Sequence, residues 1–199
     1  MQTKSALLIS LLLAGFALSP ASFAQSHQLG ILAGAANPSA SVGIGGSSIT
    51  AGVTAAVQVD YAQRLKQTSG GDLFLELPLT RAFKASVGFT SSQVDVTQSQ
   101  FFFTPGLRYV IAPKSVVSPY GVAGFGFGWF DSVHVSFDGP FSARALEGFK
   151  PAAAFGGGLQ IRIARGFVFR AEVRDFVNCA TDAPSRNHVV FNGGFGFRF

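Results

Sequence analysis

The sequence predicts an all-β protein, an eight-stranded antiparallel up-and-down β-barrel that crosses a membrane, and three observations carry that prediction. Composition is the first: 48% of the residues are hydrophobic, the mean hydropathy is +0.36 and only 13% are charged, against roughly 25% in soluble domains. Second, past the opening segment no stretch approaches the roughly 18 to 20 uninterrupted apolar residues that a membrane helix needs. The third is period-two alternation, which dominates from Gln28 onward and runs in several segments longer than ordinary soluble strands.

The opening segment reads as a secretory signal. Lys4 supplies its charge, Ala6 to Leu18 its apolar run, and "SPASFA" ends in small residues spaced for cleavage after Ala24. Residues 1–24 are therefore expected to be removed, leaving residues 25–199 as one barrel domain. The net charge then falls from +5 to +4, Lys4 being the only charge lost. Basic residues are scattered, which argues against nucleic acid as a partner. Cys179 is the only cysteine, so no internal disulfide can form.

Eight strands follow in order. Gln28–Ala36 is rich in Ala and Gly. Ala51–Leu65 sets Val53, Ala55, Val57, Val59 and Tyr61 against Thr54, Gln58 and Asp60. In Gly71–Thr80, four leucines alternate with Asp72, Phe74, Glu76 and Pro78. Gln98–Ile111 opposes Phe101, Phe103, Leu107, Tyr109 and Ile111 to Phe102, Thr104, Gly106 and Arg108. Ser118–Phe130 opposes Phe125, Phe127 and Trp129 to Gly124, Gly126 and Gly128, and Pro151–Ile163 opposes Phe155, Leu159 and Ile161 to Gly156, Gly158, Gln160 and Arg162. Phe167–Val177 carries Arg170, Glu172 and Arg174 on its polar face, and His188–Phe199 carries Asn192, Gly194, Gly196 and Arg198.

Connections alternate between short ("KQTSG", "APKSVV", "ARG") and long ones, as in bacterial transmembrane barrels with periplasmic turns and extracellular loops. An even strand count puts both termini on the periplasmic side. Eight strands enclose a bore that side chains just fill. The face rich in glycine can admit long charged chains, whereas the rows of Phe and Leu would not all fit, so the aromatic face is predicted to meet lipid. Tyr61, Tyr109, Tyr120, Trp129 and Phe199 lie near strand ends, where interface aromatics are expected.

The inward face then carries Asp60, Glu76, Arg108, Arg162, Arg170, Glu172, Arg174 and Arg198. Counted from the periplasmic strand ends, Asp60, Glu76, Arg108, Arg170 and Glu172 should share one level. Such a cluster would bond across the bore and plug it, because unpaired charge in a narrow low-dielectric space is costly. The alternative is a gate, with a weak preference for anions from the excess of Arg.

The last eight residues, "NGGFGFRF", resemble the sorting signal by which outer-membrane barrels are recognised for insertion, through Asn192, Gly194, Phe197 and Phe199. "RAEVRDF", Arg170 to Phe176, resembles a segment of small outer-membrane barrel-domain proteins of the OmpA/OmpX-like type. The likeness covers the whole of residues 25–199 in architecture. It implies residence in the bacterial outer membrane, contact with its lipid, and insertion by the barrel-assembly machinery. Function it leaves open, since that superfamily spans adhesion, envelope integrity, small pores and lipid-modifying enzymes.

Other motifs carry less. "GFGFG", Gly124 to Gly128, has no helix after it and is no phosphate loop. His27, His134 and His188 have no second ligand at metal spacing and read as solvated, so neither metal nor cofactor is expected. "HVS" with Glu147 loosely resembles the His-x-Ser and later Glu of outer-membrane lipid A deacylases, but lies in a long connection interrupted by Gly139 and Pro140. The sequence reads as a monomeric integral outer-membrane barrel with a structural or surface-interaction role, a charge-plugged lumen and no enzymatic activity. The alternative reading is a narrow channel for small solutes or ions. What the long connections bind, the composition does not name.

Overall fold

The computed structural model describes residues 26–38, 41–44, 47–50, 53–83, 95–97, 99–131, 134–136, 148–178 and 187–199. The expected signal segment, Glu147 and Cys179 lie outside them. Eight long strands form the body: β1 (His27–Pro38), β2 (Thr54–Gln67), β3 (Gly71–Ala82), β4 (Gln100–Phe103 and Gly106–Ile111), β5 (Val117–Phe130), β6 (Gly148–Ala164), β7 (Phe167–Asn178) and β8 (Asn187–Arg198). Each pairs antiparallel with its neighbours in chain order, and β8 returns to β1, with Gln28 facing Arg198 and Pro38 facing His188. The result is an all-β, eight-stranded, closed up-and-down barrel. Its seam is completed by Phe199, whose backbone N–H donates to His27 O at 3.0 Å and whose carbonyl accepts from His27 N at 3.1 Å.

Closure satisfies the backbone polar groups along every strand and leaves no unpaired edge. Two strands depart from their predicted bounds near a proline, one broken by it and one running past it. The fourth strand breaks at Thr104 and Pro105, since Pro has no N–H to give the ladder. The register nonetheless runs on, with Phe103 facing Phe127 and Gly106 facing Gly124, and Pro105 O accepts from Phe125 N at 3.0 Å. The sixth strand starts at Gly148, ahead of Pro151, because residues on either side of that proline continue to pair with β5. Two short pairings lie beyond the long strands: Ser41–Ile44 with Ser47–Thr50, and Asp95–Thr97 with His134–Ser136.

The short connections 68–70, 112–116 and 165–166 lie at the same end as His27 and Phe199; this is the turn end, and the opposite one the loop end. Alternation sorts the side chains cleanly. Outward positions include Ile31, Phe125, Phe155, Phe191 and Phe195, the last two 54% and 60% exposed. A surface of this kind is stable only against hydrocarbon. Toward the turn end the outer face carries stacked rings: His27 lies 5.9 Å from Tyr61 and 5.8 Å from Phe199, and His27 Nδ1 and Tyr61 Oη are 2.6 Å apart.

Inside, the filling changes with height. Near the loop end, Phe102, Phe130, Phe176 and Val190 pack with Ala36, Ala56, Ala82, Ala152 and Ala154. Phe102 stacks on Phe176 at 4.4 Å and meets Phe130 edge-on at 5.6 Å. Below that aromatic layer, charged and amide side chains fill the bore.

Candidate functional site

Inward positions on five of the strands supply the core of this polar layer. Asp60 comes from β2, Glu76 from β3, Arg108 from β4, Tyr120 from β5, and Arg170, Glu172 and Arg174 from β7. Period two places residues 170, 172 and 174 on one face of β7, and this one strand provides half of the buried charges. All six ionised side chains are at most 3% exposed.

Arg170 is the hub. Its Nη1 donates to both oxygens of Asp60 at 2.7 Å, its Nη2 to Glu172 Oε2 at 2.8 Å and Glu76 Oε1 at 3.2 Å, and its Nε to Tyr120 Oη at 3.3 Å. Arg174 donates to Glu172 Oε1 at 2.9 Å and Glu76 Oε2 at 3.2 Å. Arg108 is held more loosely, 3.5 Å from Glu76 and 3.8 Å from Asp60, with its short bond, 2.8 Å, to Gln28 Oε1. Tyr120 Oη in turn donates to Glu172 Oε2 at 2.9 Å. Three guanidinium groups meet three carboxylates, so the buried set is neutral. That balance is what a low-dielectric bore demands.

Amides extend the network toward the aromatic layer. Gln58 Nε2 donates to Glu172 Oε1 at 3.2 Å, while Gln58 Oε1 accepts from Thr80 at 3.0 Å and Asn192 at 3.3 Å. Glycines make the space. A Cβ on Gly30 would stand 2.7 Å from Asp60 Oδ2, and one on Gly158 would stand 2.7 Å from the Tyr120 hydroxyl. Arg108 also lies over two rings, 5.1 Å from the centroid of Phe74 and 5.8 Å from that of Tyr120.

The eight charges grouped from the sequence therefore divide. Six meet in the network, Arg174 among them although its spacing set it above the expected level. Arg162 and Arg198 do not join it. Arg162 is exposed at the turn end, where its Nη2 donates to Pro113 O at 2.5 Å, and Arg198 lines the same mouth. Both sit too close to their strand ends to reach the cluster, and the excess of arginine over carboxylate leaves the buried set with them.

Two other expectations are corrected. Tyr120 is not an interface aromatic: it is 4% exposed, because its parity points inward and Gly158 vacates the space its ring fills. His188 is not solvated: it is 3% exposed, packed 5.7 Å from Phe102 and 5.5 Å from Phe130. Gln28, Gln58 and Thr80 were missed as members of the network, although each stands at inward parity beside a named charge or one step from it.

The next inward positions toward the turn end, one on each strand, form a floor beneath the network. Ala62, Phe74, Val110, Val168, Ser118, Gln160 and Gln28 occupy seven of them, each at most 3% exposed, and Gly196 the eighth. Below this floor the bore widens into a vestibule.

Of the residues resembling an insertion signal, Asn192 and Gly194 face the lumen, while Phe197 and Phe199 face outward with their rings 5.9 Å apart. His134 and Ser136 lie in the short strand paired with Asp95–Thr97; Glu147 lies outside the described residues. Among the described residues no group of three His, Cys, Asp or Glu could hold a metal ion.

Residues 8–199 match the family model described as the outer membrane protein beta-barrel domain. No curated protein matches the chain. Among solved structures it is similar to Neisserial surface protein A, with 14% identity, a TM-score of 0.59, and coverage of 88% of this chain and 99% of that one. Ail, the attachment invasion locus protein of Yersinia pestis, aligns with 20% identity, a TM-score of 0.51 and coverage of 87% and 99%. The outer membrane enzyme PagL aligns with 16% identity, a TM-score of 0.50 and coverage of 87% and 99%. At these identities the likeness is one of fold, and the fold carries a surface protein, an attachment protein and an enzyme alike.

Proposed function

Because the chain belongs to the outer membrane protein beta-barrel domain family, we propose that it is an integral outer-membrane protein whose role is structural or surface-interacting, built on a lumen that does not conduct. One observation carries this reading. Across the bore, three arginines and three carboxylates are at most 3% exposed, bonded to one another and roofed by the Phe102–Phe176 stack. An ion would have to displace both layers.

In this reading residues 1–24 are a cleaved signal, the turn end faces the periplasm, and the long connections extend outward, where binding specificity on rigid scaffolds resides. Asn192, Gly194, Phe197 and Phe199 address the chain to the assembly machinery, and the folded barrel is a monomer in lipid. Purified, refolded protein should shift in gel mobility between unheated and boiled samples and should pass no current in planar bilayers.

The narrow-channel reading has its own observation, the slack held by Arg108, whose ion pairs are 3.5 and 3.8 Å long against 2.7 Å for Arg170 and Asp60. Stepwise single-channel currents altered by Arg108→Ala would favour it and sink the plug. A hydrolase built on His134, Ser136 and Glu147 predicts acyl release from lipid A that disappears in Ser136→Ala.

A further inference from the structure

The vestibule at the turn end is the least balanced part of the molecule. It is a cavity of about 460 Å³ whose lining includes Arg64, Lys114, Arg162, Arg165 and Arg198, with Asp72 the one carboxylate. Asp72 is engaged by Arg64 at 3.6 Å, and Nε of Arg198 has no hydrogen-bond partner among the described residues. Five cations against one anion contrast with the neutral set one layer above. Like charges drawn around one concavity repel, and that cost is offset when an anion lies between them.

Local backbone geometry points the same way. The two register shifts recorded among the described residues fall between Arg64 and Lys66 in β2 and between Arg162 and Ala164 in β6. Each inserts an extra residue, Leu65 or Ile163, at the rim of this cavity. Bulges at barrel rims re-aim the side chains beside them, and here they flank two of the five cations. The buried floor of Phe74, Val110 and Val168 separates the cavity from the network above it.

We propose that this vestibule is a binding site for a polyanionic phosphate group, of the size and charge of a diphosphate. Its volume lies in the ordinary range of ligand pockets, roughly 300–1,000 Å³. Guanidinium forks grip phosphate oxygens in pairs, and four of the five cations are arginines. The phosphate comes either from a soluble molecule or from the headgroup of an anionic lipid at the barrel's rim, beside the outward rings of Phe197 and Phe199. The site does not depend on whether the lumen above it conducts.

The test is calorimetric titration of inorganic pyrophosphate into protein refolded in maltoside micelles at low salt, on the order of 20 mM. One saturable site is expected. Arg162→Gln with Arg165→Gln, both exposed positions, should weaken binding by at least about tenfold, with the heat-dependent gel shift retained as proof of folding. Lys150→Gln, on β6 near the loop end, should leave it unchanged. Absence of saturable binding to the unaltered protein, or equal affinity in the double variant, overturns the site.

Repeating the titration in nanodiscs separates the sources. A fall of about tenfold or more when phosphatidylglycerol replaces phosphatidylcholine means that the lipid headgroup occupies the cavity. Equal affinity in both discs means that the occupant is a soluble anion. Either outcome keeps the site.

Discussion

Toward the turn end the lumen is filled by Asp60, Glu76, Arg108, Arg170, Glu172 and Arg174; toward the loop end it is filled by Phe102, Phe130, Phe176 and five alanines. Both layers exclude water from the same bore, but they do so by different physics. An aromatic layer is held by shape and dispersion, so each side chain contributes largely on its own. A layer of buried ions is held by matching, since each charge is tolerable only while its partners stay in place. The polar layer should therefore be the more specific and the more brittle of the two. The alanines around Phe102 and the glycines around Asp60 and Tyr120 make the same trade, small residues on one wall admitting large ones from another.

The largest effect should come from breaking the hub. Arg170→Ala removes the 2.7 Å partner of Asp60 and one contact each from Glu76 and Glu172, leaving two arginines against three carboxylates, an uncompensated buried charge that costs about 4 kcal/mol. Urea titration in micelles, followed by fluorescence of the single Trp129, measures it. A loss below about 1 kcal/mol would mean that water reaches the cluster and that the layers do not differ in kind. Next in size is Phe102→Ala, which empties the centre of the aromatic layer and should cost about 3 kcal/mol, the lower part of the range for buried Phe because water can enter from the loop end. A cost as small as that of an exposed substitution, within about 0.5 kcal/mol, would show the aromatic layer to be incidental.

Which face each residue takes is legible in the sequence, because strand parity leaves two choices and glycine-rich rows mark the inside. The wall, the strand count and the roster of inward charges follow from that. Partnership is not legible: Arg170 and Asp60 are 110 positions apart, and which strands meet across the bore depends on tilt and stagger that no single strand encodes. The same geometry separates Arg162 and Arg198 from the cluster, although their parity matches it. Phe102 is visible on the inward side of its own strand, yet the general preference for outward aromatics hides that Phe130 and Phe176 join it. Tyr120 is misread for a related reason: nearness to a strand end suggests the interface, while the deciding fact, the missing side chain of Gly158, lies on another strand.

The finest test of the contrast is a pair of double-mutant cycles. Glu172→Gln alone leaves Arg174 with Glu76 as its one carboxylate and weakens the hold on Arg170, so the set carries an excess cation; Arg174→Met alone leaves Glu172 with Arg170 as its one cation and the set with an excess anion. Made together they leave two arginines facing Asp60 and Glu76, again neutral, so the double variant should be more stable than the two separate losses imply by about 2 kcal/mol. The matching cycle, Phe102→Ala with Phe176→Ala, removes a ring stack and should show a coupling of only about 1 kcal/mol. Equal couplings in the two cycles would mean that the charged side chains are packed rather than matched, and the division of the lumen into a matched layer and a packed layer would fail.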